Sequence, residues 1–489
     1  MKKRVAVMFG GKSVEHEVSV ISAIQAVMAM DTDKYEIIPV YMTKDNEMYI
    51  GNKVGSIESY RDIPALLKDS ERVIMVNDDG RFKLVQYPSK MFGGMKPVEF
   101  DIAFPIVHGT NVEDGALQGY LKTVGVPFVG PDVTSSAISM DKFITKAVLK
   151  EAGVPVLDAK VYTLADYADT EALMDDIESV VGYPVIVKPV NLGSSVGIGV
   201  AKDRNELISV LDDAYMYATR VMAEHAISNL KEINCAVLGD ENEAIASECE
   251  EPLGSGEILS YEDKYVNGGG GKKGPAKSAG NEIISGLTNT DADIYTAVDD
   301  AGANTDTKAI INFDNNADND KNTNNNTNTN TNINTNTDPQ TNTNININTD
   351  SDSDSNSNNK TVAGSGGTKG SHGAGMANLS RKIPADISPD RREEIRELAV
   401  KSFKALGCNG VSRIDFMIDM DNDALYFNEI NPIPGSLSFY LWEPTGIPYS
   451  ELLNRMIELA LKRVRQEEAV TYKFDTNILS TANLGGSKG

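Results

Sequence analysis

Cysteine is scarce in this chain. Three occur in 489 residues, Cys235, Cys249 and Cys408, and no two stand in a C-x-x-C spacing. That scarcity argues against a disulfide framework and a thiolate zinc site, and it reads the thiols as buried groups of a reducing compartment. Basic residues are outnumbered, 46 Lys and Arg against 71 Asp and Glu, for a formal charge of -25. Phosphate backbones and anionic lipids want a basic face, so nucleic acid and membrane are excluded as partners. A nucleotide pocket is not excluded, because it needs only a few local lysines and metal ions. Long apolar runs are missing too. No stretch approaches the ~20 residues of a membrane span, and the apolar run that follows the basic start at Met1 is too short for a signal peptide. The expected location is the cytoplasm.

What is present is an ordinary globular composition, 40% hydrophobic, over enough chain for two or three packed subdomains. Residues 5–9 read as a short buried strand, Gly10-Gly11 as a turn and 14–30 as a helix; 36–41 and 101–107 are further strands. Strands alternating with helices predict a parallel α/β first domain over 1–131. A second unit, 132–220, carries a helix over 140–151 and a strand over 184–188. A third, 221–280 with 374–472, begins on a strand at 221–224, continues with strands at 232–238 and 243–250 and a helix over 389–406, then has strands at 410–418 and 424–430 and a helix over 449–465. Between 281 and 373 the composition turns to Asn, Thr, Asp and Ser. So little apolar surface does not offset an ordering entropy of ~1–2 kcal/mol per residue, and the segment is expected to be disordered. The small, polar tail 473–489 is expected to fray.

Two constellations carry chemistry. In Lys188-Pro-Val-Asn-Leu-Gly-Ser194-Ser-Val-Gly-Ile-Gly199 a lysine at a strand end precedes Gly193, Gly197 and Gly199. Glycines let backbone approach phosphate oxygens, and the lysine places a fixed charge beside them. A glycine loop alone often only turns a hairpin; the lysine at the end of an apolar strand favours phosphate. The second is Arg413-Ile-Asp415 with Glu429-Ile-Asn431. A spacing of two puts each pair on one strand face, and a hairpin turning near Asn422 sets Asp415 opposite Glu429 and Arg413 opposite Asn431. Two carboxylates and an amide are hard oxygen ligands suited to Mg²⁺ or Mn²⁺. The plainer alternative is a surface hairpin with a cross-strand ion pair. Met140-Asp-Lys142, His108-Gly109, Glu15 and Ser260-Tyr-Glu-Asp-Lys264-Tyr265 decide nothing alone.

In order, these pieces resemble the D-alanine–D-alanine ligases. The resemblance is carried by Phe9-Gly-Gly-Lys-Ser-Val-Glu15-His-Glu-Val-Ser19, the run His108 to Gly119, Ser139-Met-Asp-Lys142, the Lys188 loop, Lys264-Tyr265, Arg413-Ile-Asp415 and Glu429-Ile-Asn431-Pro-Ile-Pro-Gly435. It covers nearly all of the chain outside the Asn/Thr segment and implies an ATP-grasp fold: an N-terminal α/β domain followed by two ATP-grasp subdomains, with ATP between them. By that resemblance Lys142 and Lys188 meet the ATP phosphates. Ser194, Ser195 and Lys264 also bind the nucleotide, and Glu224 and Glu232 hold its adenine and ribose side. Asp415, Glu429 and Asn431 ligate two divalent ions. Glu15, near His108, receives the ammonium of the first D-alanine, and its carboxylate becomes an acylphosphate that the second D-alanine attacks. Arg413 and the Gly435 backbone stabilise the oxyanion, and Ser194, Tyr265 and Glu15 form a hydrogen-bond network. Tyr440 and Leu441 fall where the carboxylate of the second substrate binds. The sequence departs from the family at Pro432, where Thr is usual, and at Tyr440, where many members carry serine. The resemblance implies D-alanine as acceptor, and these two departures leave D-serine or D-lactate open as alternatives; a non-catalytic nucleotide-binding homologue is the rival of another class. A homodimer serving peptidoglycan synthesis is the family expectation. The run Lys277-Ser-Ala-Gly280 before the insertion and Gly373-Ala-Gly-Met376 after it suggest that a lid over the site has been split.

Overall fold

The structure, a computed structural model, describes residues 2–90, 93–253 and 381–471. All of them belong to one compact unit, residues 1–278 with 372–489. The expectations for the 281–373 insertion, its lid flanks, the 473–489 tail, Lys264 and Tyr265 lie outside the described residues.

The first sheet has seven strands: β1 (Lys3–Gly10), β2 (Tyr35–Met42), β3 (Met48–Ile50), β4 (Glu71–Asp78), β5 (Arg81–Gln86), β6 (Val98–Phe100) and β7 (Ile102–Pro105). Their order is β6-β5-β4-β3-β2-β1-β7. Val5 to Phe9 are fully buried in the interior strand β1, which pairs in parallel with both β2 and β7. Strands covered on both faces read as continuous apolar runs, which is why this part was legible. The expectation of a parallel sheet holds only there. From β2 to β6 every pairing is antiparallel. β3, β5 and β6 are short, and β4, although eight residues long, is half-exposed, so no sustained apolar run announces them. One local signal was present: Asp79 and Gly80, with φ of 53° and 78°, make the two-residue left-handed turn that joins β4 to β5.

The helix expected over 140–151 is found as Lys142–Glu151, and a separate helix, Val133–Met140, precedes it. Asp141 stands between them with ψ 103°. Its carboxylate accepts from the N–H groups of Phe143 and Ile144 at 3.1 and 3.0 Å and so starts the second helix. The second sheet is antiparallel, ordered β10-β9-β11-β8, from β8 (Ala159–Thr163), β9 (Val185–Pro189), β10 (Gly199–Ala201) and β11 (Arg220–His225). The boundary expected at 220/221 therefore falls inside this sheet. β11 pairs with β8 and β9, and the change of sheet comes after His225. The third sheet, ordered β14-β13-β12-β15-β16, holds β12 (Leu230–Gly239), β13 (Ala244–Pro252), β14 (Arg381–Lys382), β15 (Gly410–Asp419) and β16 (Ala424–Asn431).

The apolar side chains fall into three cores. The first sheet shares its core with residues from the far end of the chain, including Ile433, Leu437, Trp442, Leu452 and Ile457. The third sheet packs on the helix Pro389–Ala405. The second sheet keeps a core of its own against the helices Thr170–Val180 and Arg204–Tyr215. No helix among the described residues is long and apolar enough to cross a membrane.

Candidate active site

Two lysines four apart on a helix lie on one face, and the cap at Asp141 aims Lys142 and Lys146 into the site. The Lys142 ammonium donates to the Leu192 carbonyl at 2.6 Å and stands 3.6 Å from Glu429. Lys146 meets Glu224, and the other oxygen of Glu224 accepts from Lys188 at 2.5 Å. Lys188 also donates to Asn428 at 3.1 Å. Glu224 has no exposed surface. Burial pushes its carboxyl up, but the two lysines outweigh that and hold it at about 2. Burial pulls the Lys146 ammonium down, with Glu224 opposing. A buried charge needs such partners to stay ionised. The structure adds a second role to the nucleoside contact expected of Glu224: its two oxygens anchor Lys146 and Lys188. Lys146 was missed, although its spacing from Lys142 was a legible signal.

The hairpin β15–β16 has the expected register, Arg413 opposite Asn431 and Asp415 opposite Glu429. Its apolar residues break strict alternation. Phe427 and Ile430 are both buried while Tyr426 is only partly so, and strict alternation cannot put residues three apart on one face. A bulge at Asn428, between the Asp415–Glu429 and Phe416–Phe427 pairs, supplies the extra residue. It places Asn428 where Lys188 reaches it. Pairing then continues across the sheet, so that Glu250 (β13), Asn234 (β12), Asp415 (β15) and Glu429 (β16) form one row over four adjacent strands. Glu232, two residues before Asn234, is exposed farther along β12.

Arg413 clasps Asp415 with two hydrogen bonds of 2.7 Å, and the Asn431 amide donates to the same carboxylate at 3.2 Å. Burial raises the Asp415 carboxyl against the pull of Arg413, and Glu429 and Glu250 add to the rise. Among the described residues no three His, Cys, Asp or Glu side chains converge as a metal cage. The hairpin offers two carboxylates and an amide. Such a donor set fits Mg²⁺ or Mn²⁺, which complete their shells with water and substrate phosphate rather than with protein alone.

Glu15 occupies the N-cap of the helix His16–Ala29 but makes no capping hydrogen bond with its side chain. Its carboxylate instead accepts from the Ser194 hydroxyl, joining the first glycine loop to the loop after Lys188. Two glycines make room for it: a Cβ on Gly109 or on Gly193 would lie 2.8 Å from a Glu15 oxygen. Ser194 and Ser195 both take left-handed φ, 54° and 59°.

His108 is buried, 3% exposed. Its Nδ1 lies 2.8 Å from the Ile433 carbonyl and its Nε2 2.9 Å from the Ser22 hydroxyl. The carbonyl only accepts, so Nδ1 carries the proton and Nε2 accepts from Ser22. Burial pushes the imidazole down to about 4, which keeps it neutral. Both ring nitrogens of His108 are thus engaged within the protein. Beside it, Glu113 accepts from the N–H groups of Gly109 at 2.8 Å and Ile433 at 2.9 Å. Burial, then the Glu15 charge, pushes Glu113 up to about 8. The Ser22 hydroxyl also accepts from the Ser436 N–H at 2.8 Å. Three successive non-glycine residues there, Ser436, Leu437 and Ser438, have φ of 50°, 51° and 48°, a conformation that disfavours each by ~1–2 kcal/mol.

Tyr440 donates to Glu250 at 3.0 Å. The Arg381 guanidinium lies 4.0 Å from the centre of its ring and 3.3 Å from Glu250. The Asn234 amide donates to Glu250 at 3.1 Å. Burial, with Glu250 next, pushes the Tyr440 phenol up to about 12, so it stays a donor. Leu441 is fully buried in the first core. Glu250, Arg381 and Ser22 carried no local pattern that marked them in the sequence, and Glu113 lay unmarked inside the run His108 to Gly119.

Two family models match the chain. One described as "D-ala D-ala ligase N-terminus" covers residues 4–131, and one described as "D-ala D-ala ligase C-terminus" covers 148–343 and 374–458. A D-alanine–D-alanine ligase of Caldicellulosiruptor bescii is 31% identical over 478 residues, covering 96% of this chain and 98% of that protein. One from Thermoanaerobacter sp. is 33% identical over 94% of this chain and 97% of its own length. Among solved structures, the D-alanine-D-alanine ligase from Coxiella burnetii aligns with TM-score 0.61 at 23% identity, over 96% of each chain. The VanG D-Ala:D-Ser ligase from Enterococcus faecalis aligns with TM-score 0.60 at 25% identity, over 94% of this chain and 100% of that one.

Proposed function

This chain belongs to the D-alanine–D-alanine ligase family, and from that premise we propose how its residues divide the work. The fold is ATP-grasp, and the reaction is the ATP-dependent joining of two D-alanines to D-alanyl-D-alanine, a peptidoglycan precursor. Lys142, Lys188, Ser194, Ser195 and Lys264 hold the ATP phosphates, and Glu232 faces the ribose side. Glu224 keeps Lys188 and Lys146 in place. Glu15 takes the ammonium of the first D-alanine. That substrate's carboxylate forms a bond to the γ-phosphorus as the bond to the bridging oxygen of ADP breaks. The amine of the second D-alanine attacks the resulting acylphosphate carbonyl, phosphate leaves, and the amine gives up a proton through the Glu15, Ser194 and Tyr265 network. Arg413 and the Gly435 backbone stabilise the oxyanion that develops.

Asp415, Glu429 and Asn431 would hold two Mg²⁺ or Mn²⁺ ions, which supply neutralisation of phosphate charge. The observation that carries this assignment is the meeting of three parts: Lys142 lies 3.6 Å from Glu429, Lys188 shares Glu224 with Lys146, and Ser194 reaches Glu15. For the acceptor, the phenol proton of Tyr440 goes to Glu250. A carboxylate bound beside it is then met by the Arg381 guanidinium rather than by a serine-like hydroxyl. We assign the protein to the bacterial cytoplasm and to a homodimer, which sedimentation of the purified chain checks.

Phosphate release with ATP, Mg²⁺ and D-alanine, offered D-alanine, D-serine or D-lactate as acceptor, tests the reading. D-Alanine is expected to give the fastest turnover, and Glu429→Gln to abolish it. Equal turnover in that variant removes Glu429 from the metal set; faster turnover with D-serine or D-lactate overturns the acceptor.

A further inference from the structure

The strand ladder of β16 ends at Asn431, so the residues that follow have no strand partner to shape them. They nevertheless run through three consecutive left-handed residues, Ser436 to Ser438, none of them glycine. What holds them comes from the opposite end of the chain. Ile433 is gripped at both of its backbone groups: Glu113, 320 positions away, accepts from its N–H, and His108, 325 positions away, donates to its carbonyl. Ser22 accepts from the Ser436 N–H and donates to His108. Glu113 is the centre of this clamp. It is 5% exposed, and its second oxygen accepts from Gly109, whose Cα also makes room for Glu15.

We propose that Glu113 is a positioning residue of ligation. Its two oxygens bridge the Gly109 and Ile433 N–H groups, and this fixes the 433–438 segment, and with it Gly435, against the carbonyl that the second substrate attacks. The proposal rests on the assignment of Gly435 to the oxyanion. The nucleotide side is held independently, since Lys142 and Lys188 sit on other elements and Asp415 and Glu429 are inside the ladder. Disturbing Glu113 therefore harms the second half-reaction more than the first. A carboxyl group is required because each of its oxygens carries a lone pair for one of the two N–H groups. Glutamine turns an amide N–H toward one of the two donors, and alanine removes both acceptors.

The test uses the full-length protein, with Glu113→Ala, Glu113→Gln and Ser22→Ala beside wild type. Three quantities are measured: dipeptide turnover, the KM for ATP, and acylphosphate formation followed by positional isotope exchange in bridge-labelled ATP with D-alanine. Glu113→Ala is expected to lower dipeptide turnover on the order of 10²-fold, the scale of a small misplacement in a preorganised site. Glutamine and Ser22→Ala lower it less, while the KM for ATP stays within about twofold and exchange persists. Turnover close to wild type in both Glu113 variants overturns the proposal. So does a parallel fall of exchange, turnover and ATP affinity, which marks a general structural loss. Glu113→Gln keeps the side chain's volume and supplies the answer if the alanine variant does not fold. A wild-type protein that makes no dipeptide refutes the functional reading itself, a result distinct from unaffected Glu113 variants in an active enzyme.

Discussion

Two junctions bring the candidate site together, and they are built in opposite ways. Where residues 108–113 meet 433–438, the contact is dry. It uses neutral or backbone hydrogen bonds around His108 and Glu113, continuous with a core that includes Leu437 and Trp442. Where the second sheet meets the third, the contact is charged. Lys188 bridges Glu224 and Asn428, Lys142 approaches Glu429, and the loop after Lys188 touches Glu15 through Ser194, while the second sheet keeps a separate apolar core. A dry junction resists change because breaking it exposes apolar surface. A charged one responds to any ligand that brings opposite charge, which suits the side that handles phosphate.

Four changes break or sharpen this contrast. Glu224→Ala leaves Lys146 and Lys188 buried without their shared partner, and a loss of about 3–5 kcal/mol is expected in denaturant unfolding; a loss under about 1 kcal/mol would mean that the lysines find other partners. Next comes acid. His108 is held below its usual value, at about 4, so its contribution to stability is complete above its unfolded value of ~6.5 and falls away as pH drops toward 4. Glu224, held at about 2, acts in the same direction below its unfolded ~4.5. Glu113, raised to about 8, acts oppositely, favouring the fold at low pH. Between pH 7 and 4 the Glu113 gain offsets much of the His108 loss, so the readout is a difference: wild type should lose on the order of 3 kcal/mol more than His108→Asn over that range, and matching profiles would mean that His108 does not titrate there.

A smaller effect is expected from Gly193→Ala. The new Cβ meets the tip of the Glu15 side chain, which can swing aside at little expense to the fold. The melting temperature should hold while the KM for D-alanine rises roughly tenfold, or about 1.4 kcal/mol. An unchanged KM would remove Glu15 from the first-substrate site. Smallest is Tyr440→Phe, which deletes one hydrogen bond to Glu250 for about 1 kcal/mol. The KM for the acceptor should shift while that for ATP does not. An equal shift in both would place Tyr440 outside the acceptor pocket.

Much of the site was legible because its chemistry is written at short range. A spacing of two residues on a strand determines a shared face, and a turn near Asn422 determines which residue stands opposite which. The facing of Asp415 and Glu429 therefore followed from the sequence alone. So did Lys188 at the end of an apolar strand, and Lys146 was available from the same helical rule that places Lys142. The β3–β6 meander was missed because half-exposed short strands leave a weak pattern, and the bulge at Asn428 because one extra residue shifts the phase without altering composition.

The chain's own sequence thus determined the local constellations, the glycine-rich loop after Lys188 and the family to which it belongs. Tertiary structure decided which constellations meet. It turned His108 and Glu224 inward, and it brought Glu113 and Ser22 to a segment more than 300 positions away. It also aligned Glu250 with Asp415 across three strands. The reason is physical. Periodicity and turn chemistry act over a few residues. Contacts between distant segments depend on which apolar faces merge into one core, and no local pattern records that choice.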